Sequence, residues 1–213
     1  NRFFPKEKID EDRLRNLLDH LIIDSDEFSQ KWYRARIQKM DAPYSIDQMG
    51  APPYNLARQG RANPAGIPYL YLASNAETAI SESRPHTGEY ASVADFTLSD
   101  TLNIIDLRNP RRTVSPFMLE DETLVALLRG DIEFLVKLGD ELTRPVLPHS
   151  AVIDYIPSQF LCEFIKNCGY HGVVYRSSVG EGINMALFYS DKAAAGSVKR
   201  YKVNRVRVSI EER

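Results

Sequence analysis

Apolar residues recur along the chain with two distinct periods. Leu14, Leu17, Leu18, Leu21 and Ile22 repeat at helical spacing behind Asp10 and Asp12, which predicts an amphipathic helix over 10–23 resting on the main body. Residues 31–37 are rich in aromatic and β-compatible side chains and read as a strand that carries Arg34 and Arg36. Residues 40–68 then break both periods with Pro43, Gly50, Pro52, Pro53, Gly60, Pro64 and Gly66. A loop of that length inside a compact domain either binds something or is disordered.

Beyond the loop, residues 69–73 form a short apolar strand, and Ser74-x-x-Glu77 has the pattern of a capping box, so a helix is expected from near Asn75. It should stop before Pro85, whose ring disfavours a helical conformation at Arg84. Residues 90–97 and 101–107 read as two strands joined by Leu98-Ser99-Asp100. Residues 119–142 read as helical, with Gly130 and Gly139 as candidate breaks. Ser158 is the expected cap of a further helix that buries Phe160, Leu161, Phe164 and Ile165 and ends at Gly169. Residues 173–175 are a buried strand feeding the turn Arg176-Ser177-Ser178, and another strand is expected around 185–189. In the tail, Lys199, Arg200, Lys202, Arg205 and Arg207 alternate with Val203, Val206, Val208 and Ile210, the pattern of a solvated edge strand. Strands and helices follow no steady βαβ rhythm, which predicts a single mixed α+β domain with central β-sheets and flanking helices. The expected organisation is an N-terminal helical extension over 1–28 and the main domain over 29–213.

Composition narrows the function classes. The chain has 213 residues, 43% hydrophobic and 26% charged, enough for one sizeable core. A net charge of -2 offers no global positive field, so direct nucleic-acid binding is not expected. No apolar run approaches the roughly 18 residues that would span a bilayer, so a soluble protein without membrane contact is expected. Cys162 and Cys168 are the only cysteines and lack C-x-x-C spacing, which fits a reducing cytosol better than a disulfide framework or a zinc site. The chain opens on Asn1 rather than methionine, which points to a trimmed or incomplete N-terminus.

Common catalytic machinery is missing from the sequence. His20, His86, His149 and His171 show no metal-ligand pairing, and neither a P-loop nor a G-x-S-x-G elbow is present. Gly180-Glu181-Gly182 is too short for a dinucleotide fingerprint. What remains is a set of polar residues at strand ends and in the long loop: Arg34, Arg36, Arg58, Arg61, Asn63, Tyr71, Glu82, Ser177 and Asn184.

Three blocks carry a resemblance. They are Trp32-Tyr33-Arg34-Ala35-Arg36; the run from Gly60-Arg61-Ala62-Asn63-Pro64 through Tyr69-Leu70-Tyr71-Leu72-Ala73 to Ile80-Ser81-Glu82-Ser83-Arg84-Pro85; and Gly172-Val173-Val174-Tyr175-Arg176-Ser177-Ser178. In these the chain resembles the RES family, named for an arginine, a glutamate and a serine, over roughly residues 32–190. Ala62 departs from the pattern, standing where many relatives place tryptophan. The resemblance implies a fold similar to bacterial ADP-ribosyltransferase toxins, with 29–213 as an NAD-consuming domain. It implies a cytoplasmic toxin-type enzyme that takes NAD as substrate, with no recycled cofactor and no metal, and cleaves the nicotinamide–ribose bond as an NAD phosphorylase or glycohydrolase. A cognate antitoxin is implied as partner, and a homodimer is compatible with it. Two alternatives stay open: a mono-ADP-ribosyltransferase acting on a protein or other target, and a non-catalytic nucleotide-binding module. On matching positions the family's arginine, tyrosine, glutamate and serine fall on Arg34, Tyr71, Glu82 and Ser177 as catalytic residues. Arg36, Arg61, Asn63 and Asn184 are the accompanying candidates for contacting NAD.

Elementary chemistry suits these residue types to that role. A guanidinium can hold two pyrophosphate oxygens at once, each charge-assisted bond worth about 1.5–3 kcal/mol. Arg34 and Arg36, two apart on one strand, could share this grip or could simply solubilise an edge strand. Cleaving the bond to nicotinamide builds positive charge on the sugar, which a fixed carboxylate stabilises as in glycoside hydrolysis. Glu82 sits one turn beyond the small residues Thr78 and Ala79, which leave room for a ligand; the alternative is an exposed helix glutamate. Tyr71 could stack on nicotinamide or belong to the core, and Ser177 could orient a ribose or merely close its own turn.

Overall fold

Side-chain alternation decides which face of the sheet each strand residue serves. Among the described residues seven strands form one mixed sheet: β1 (Trp32–Ile37), β2 (Leu70–Ala73), β3 (Tyr90–Leu98), β4 (Ile104–Asp106), β5 (Gly172–Arg176), β6 (Ile183–Leu187) and β7 (Ala193–Lys202). Their order is β4-β5-β6-β2-β1-β3-β7. Among these strands only the β4–β5 pair is parallel. The helices are α1 (Glu11–Asp19), α2 (Ala76–Glu82) and α3 (Ile156–Asn167), with single turns at Pro110–Thr113 and Ala151–Asp154 and helical residues between 132 and 143. This computed structural model describes residues 11–23, 31–39, 41–99, 101–113, 132–133, 135–137, 139–144, 151–207 and 212.

The two faces of the sheet bury separate apolar clusters. Val173, Tyr175 and Ala186 point to one side, where they meet Leu14, Leu17, Leu18 and Leu21 of the α1 segment and Leu161 and Ile165 of α3. The alternate residues Val174, Met185 and Leu187 point to the other, against Leu70, Leu72, Trp32, Phe96 and Met49. Helices and one mixed sheet therefore make the α+β fold that the unsteady order of elements implies. Among the described residues no helix is long and apolar enough to cross a membrane.

One junction in the sheet is thin. β1 runs beside β3 along its whole length, from Trp32 opposite Phe96 to Ile37 opposite Ala91, but it meets β2 at a single pair, Tyr33 opposite Ala73. The two halves of the sheet are thus joined at one residue pair and diverge from it.

Several local expectations are corrected. The first helix stops at Asp19 rather than reaching residue 23, because Ile22 forms a β-bridge with Ile105 and the flanking carbonyl and amide groups bond β4. Asn75, not Ser74, caps α2, its side chain accepting from the Thr78 N–H at 2.8 Å. Ser74 instead continues the pairing at the end of β2, where its N–H donates to the Ile183 carbonyl and its hydroxyl accepts from the Ile183 N–H. Ser158 lies inside α3 and not at its cap; its hydroxyl donates to the carbonyl of Arg61 at 2.6 Å. Phe160 is half exposed, whereas Leu161, Cys162 and Ile165 supply the buried face of α3. Gly139 is itself helical. A Cβ there would lie 2.6 Å from the Leu107 carbonyl oxygen, so it permits close packing on the strand end. Gly130 and residues 119–131 of the expected helix lie outside the described residues. The basic edge strand exists as β7, but it begins at Ala193 and ends at Lys202. The ends of α2 and α3 follow expectation: Arg84 adopts φ 50° before Pro85, and Gly169 adopts φ 93° just past the Cys168 cap.

Leu18 has no exposed surface and shares its cluster with the sheet residues Ile105 and Val173. Leu18→Ala should therefore lower the stability of the whole unit by about 2–5 kcal/mol. Chemical denaturation should show one transition moved to lower denaturant; an unmoved main transition would mean that α1 folds apart from the sheet.

Candidate active site

A cavity of about 290 Å³ opens where β1 and β2 part. It is lined by Tyr33, Arg34 and Ala35 of β1, by Tyr71, Leu72 and Ala73 of β2, and by Ala79, Glu82 and Ser83 at the end of α2; Gly60, Arg61, Tyr155, Tyr175 and Asn184 complete it. Closely paired strands offer only alternate residues to one face. Here three consecutive residues from each strand reach the same space, because the strands have separated. Tyr33, Ala73, Asn184 and Tyr175 lie opposite one another in a row across four strands.

Glu82 is delivered by a short, well-fixed helix. The Asn75 cap starts α2, and the small buried residues Thr78 and Ala79 let it press close to the sheet. Glu82 Oε1 accepts from Ser177 Oγ at 2.7 Å and from Asn184 Nδ2 at 2.5 Å. Oε2 has no hydrogen-bond partner among the described residues. Ser177 is held in turn, since its oxygen accepts from the backbone N–H groups of Val179 and Gly180 at 3.2 and 3.1 Å. The serine closes its own turn, and it also bonds the Glu82 carboxylate. The turn also packs on the start of α2. A Cβ on Gly182 would lie 2.8 Å from both Asn75 Nδ2 and Ser74 Oγ, so only glycine fits.

Arg34 faces the same cavity in the opposite electrostatic state. Its Nη1 is buried without a hydrogen-bond partner, and among the described residues the side chain makes no ion pair. Burial, reinforced by the neighbouring Arg36 charge, pushes its pKa down to about 10. The guanidinium stays charged at neutral pH but at a free-energy cost that an incoming anion would relieve. Arg36 stands apart: it does not line the cavity, and its Nη2 donates to the Gly50 carbonyl at 3.3 Å. β1 is an interior strand, so these arginines do not solubilise a sheet edge.

Residues 57–68 form a folded loop built on Asn63. This side chain is buried; its Nδ2 donates to the carbonyls of Arg58, Pro64 and Ile67, and its Oδ1 accepts from the Tyr71 hydroxyl at 2.6 Å. The Tyr71 oxygen also accepts from the Ala62 N–H at 3.0 Å. Burial raises the Tyr71 pKa, so this phenol stays protonated. Arg61 lines the cavity while its guanidinium reaches away from it, donating to the carbonyls of Leu142 and Arg144 at 2.9 and 2.5 Å and to Ser178 Oγ at 3.1 Å. Ala62 is fully buried between these neighbours.

Of the eight residues to which the resemblance gives a catalytic or NAD-contacting role, Arg34, Tyr71, Glu82, Arg61 and Asn184 line one cavity, and Ser177 joins it through Glu82. Arg36 and Asn63 do not line it. Tyr33, Tyr155 and Tyr175 line it without having been singled out. Nothing in their sequence setting separates them from core or surface aromatics.

The comparisons with known proteins bear on this arrangement. No curated protein matches the chain. A solved structure that it resembles is the crystal structure of the M. tuberculosis MbcT–MbcA toxin–antitoxin complex, with a TM-score of 0.49 and 15% identity over 89% of this chain and 92% of that one. The family model described as the RES domain matches residues 31–210, which take in every strand of the sheet and every residue lining the cavity. The chain belongs to the RES-domain family.

Proposed function

We propose that this protein consumes NAD, cleaving the bond between nicotinamide and its ribose, and that it is the toxin of a toxin–antitoxin pair. Family membership supports the choice of NAD and of an antitoxin as partner. The observation that carries the chemistry is that Arg34 and Glu82 line one cavity without pairing with each other. A structural ion pair would close to contact; a substrate site keeps cation and anion apart so that each can meet its own part of the ligand. At about 290 Å³ the cavity is at the small end for a small-molecule site, suited to the nicotinamide riboside half of the dinucleotide.

In this reading Arg34 grips the pyrophosphate and the Tyr71 ring frames the nicotinamide end. The glycosidic C–N bond breaks with its electron pair leaving on nicotinamide, and the Glu82 carboxylate stabilises the cation left on the sugar. Ser177 and Asn184 act as positioning residues that fix Glu82 through Oε1, leaving Oε2 for the sugar. An oxygen of phosphate or water then bonds to the anomeric carbon and gives up its proton, yielding ADP-ribose 1-phosphate or ADP-ribose. NAD is a consumed substrate here, not a recycled cofactor.

Nicotinamide release from NAD, followed with and without inorganic phosphate, tests the proposal. Release stimulated by phosphate identifies a phosphorylase, phosphate-independent release of ADP-ribose a glycohydrolase, and ADP-ribose attached to a protein a transferase; no release at all overturns the reading. Glu82→Gln should lower kcat by about two to three orders of magnitude with KM little changed, because the lost charge acts on the transition state. Arg34→Ala should chiefly raise KM, by roughly tenfold or more, because the guanidinium grips the ground state and the transition state alike. Steady-state kinetics that left both variants at wild-type values would remove these roles.

A further inference from the structure

Two of the four tyrosines that line the cavity, Tyr71 and Tyr175, differ in what their hydroxyls do. Tyr71 is fully engaged, donating to Asn63 Oδ1 and accepting from the Ala62 N–H. Tyr175 lines the same cavity and is only 3% exposed, and among the described residues its hydroxyl makes no hydrogen bond and is not one of the fully buried unpaired polar atoms. A phenol in that position is left with a donor to offer a ligand. On β5 Tyr175 lies directly opposite Asn184, the residue that holds Glu82, and two positions before Ser177, which holds it too.

Resting on the NAD reading above, we infer that Tyr175 is a substrate-contacting residue whose hydroxyl donates to a hydroxyl of the nicotinamide-bearing ribose. The placement beside both residues that aim Glu82 puts this donor at the sugar end of the cavity and not at the pyrophosphate end, where Arg34 stands. Burial, with Tyr71 and Glu82 nearby, raises the Tyr175 pKa well above the usual value, so the phenol is a donor and not a base. The contact makes the site selective for a ribosylated ligand, since an analogue without that hydroxyl leaves the phenol unpaired.

The test compares Tyr175→Phe with Tyr71→Phe. Without ligand, Tyr175→Phe should keep the wild-type Tm because no protein bond is lost, whereas Tyr71→Phe should lower it by stranding Asn63 Oδ1 and the Ala62 N–H. Calorimetric titration in the Glu82→Gln background, where NAD persists, should show Tyr175→Phe binding NAD and nicotinamide mononucleotide about three- to tenfold more weakly. Binding of AMP, which lacks the nicotinamide ribose, should be unchanged. Unaltered affinity for nicotinamide mononucleotide, an equal loss for AMP, or a lowered Tm for unliganded Tyr175→Phe would each overturn the inference. Absence of NAD binding by the Glu82→Gln protein together with absence of nicotinamide release by the wild type would overturn the NAD reading itself.

Discussion

The parting of β1 from β2 is the constraint around which the site is organised. Beyond the Tyr33–Ala73 pair neither strand has the other for a ladder partner, so the gap must be held open by other bonds. Helix α2 does this with adjacent residues. Ser83 Oγ shares its proton between the Ala79 carbonyl of its own helix at 3.2 Å and the Ala35 carbonyl on the β1 side at 3.3 Å, and Glu82 accepts from Asn184 on the β6 side at 2.5 Å. One helix end is thereby fastened to both halves of the sheet. The width of the cavity and the position of its carboxylate are set by the same turn of helix.

The two charges in that space are prepared unequally. Glu82 is oriented by two side chains that are themselves tied to backbone, so little reorganisation is left for the moment of reaction. Arg34 is left buried with an empty donor, an arrangement that folding alone disfavours. A protein selected only for stability would place an apolar residue at this interior position, or close it against a carboxylate. In the proposed reading an anionic ligand would remove the penalty, and only while bound, so that a destabilising residue would be converted into binding energy.

Strands, the approximate helices and the charged members of the site were legible in the sequence because their signals are local. A short unbroken apolar run marks β5, and the proline at 85 ends α2. Arg34, Glu82 and Ser177 stood out because guanidinium, carboxylate and hydroxyl at strand and helix ends carry chemistry in any fold, and because the RES blocks name them. The tyrosines were not legible, since an aromatic in a strand reads the same whether it faces a core or a cavity. Nor was the division of labour in the long loop. Its proline and glycine content reads as irregular chain, but Asn63 satisfies three carbonyls and a phenol from one buried side chain and gives the loop a definite shape. Cap positions failed for a related reason: Ser74 and Ser158 both bond elsewhere, to Ile183 and to Arg61, through contacts that only the folded chain brings together.

Arg61 shows how such long-range bonds reach the chemistry. Its guanidinium joins the carbonyls of Leu142 and Arg144 at the end of one helix to the hydroxyl of Ser178, a residue 117 positions away in sequence. Helix C-termini carry unsatisfied carbonyls and a partial negative charge, so a guanidinium is a suitable stopper for one. The third bond has a different consequence, because Ser178 neighbours the serine that aims Glu82. Through Arg61 the loop that contacts Tyr71 also steadies the turn that contacts Glu82. The cavity's two polar walls are therefore one connected network, and a substitution in the loop reaches the carboxylate without touching it.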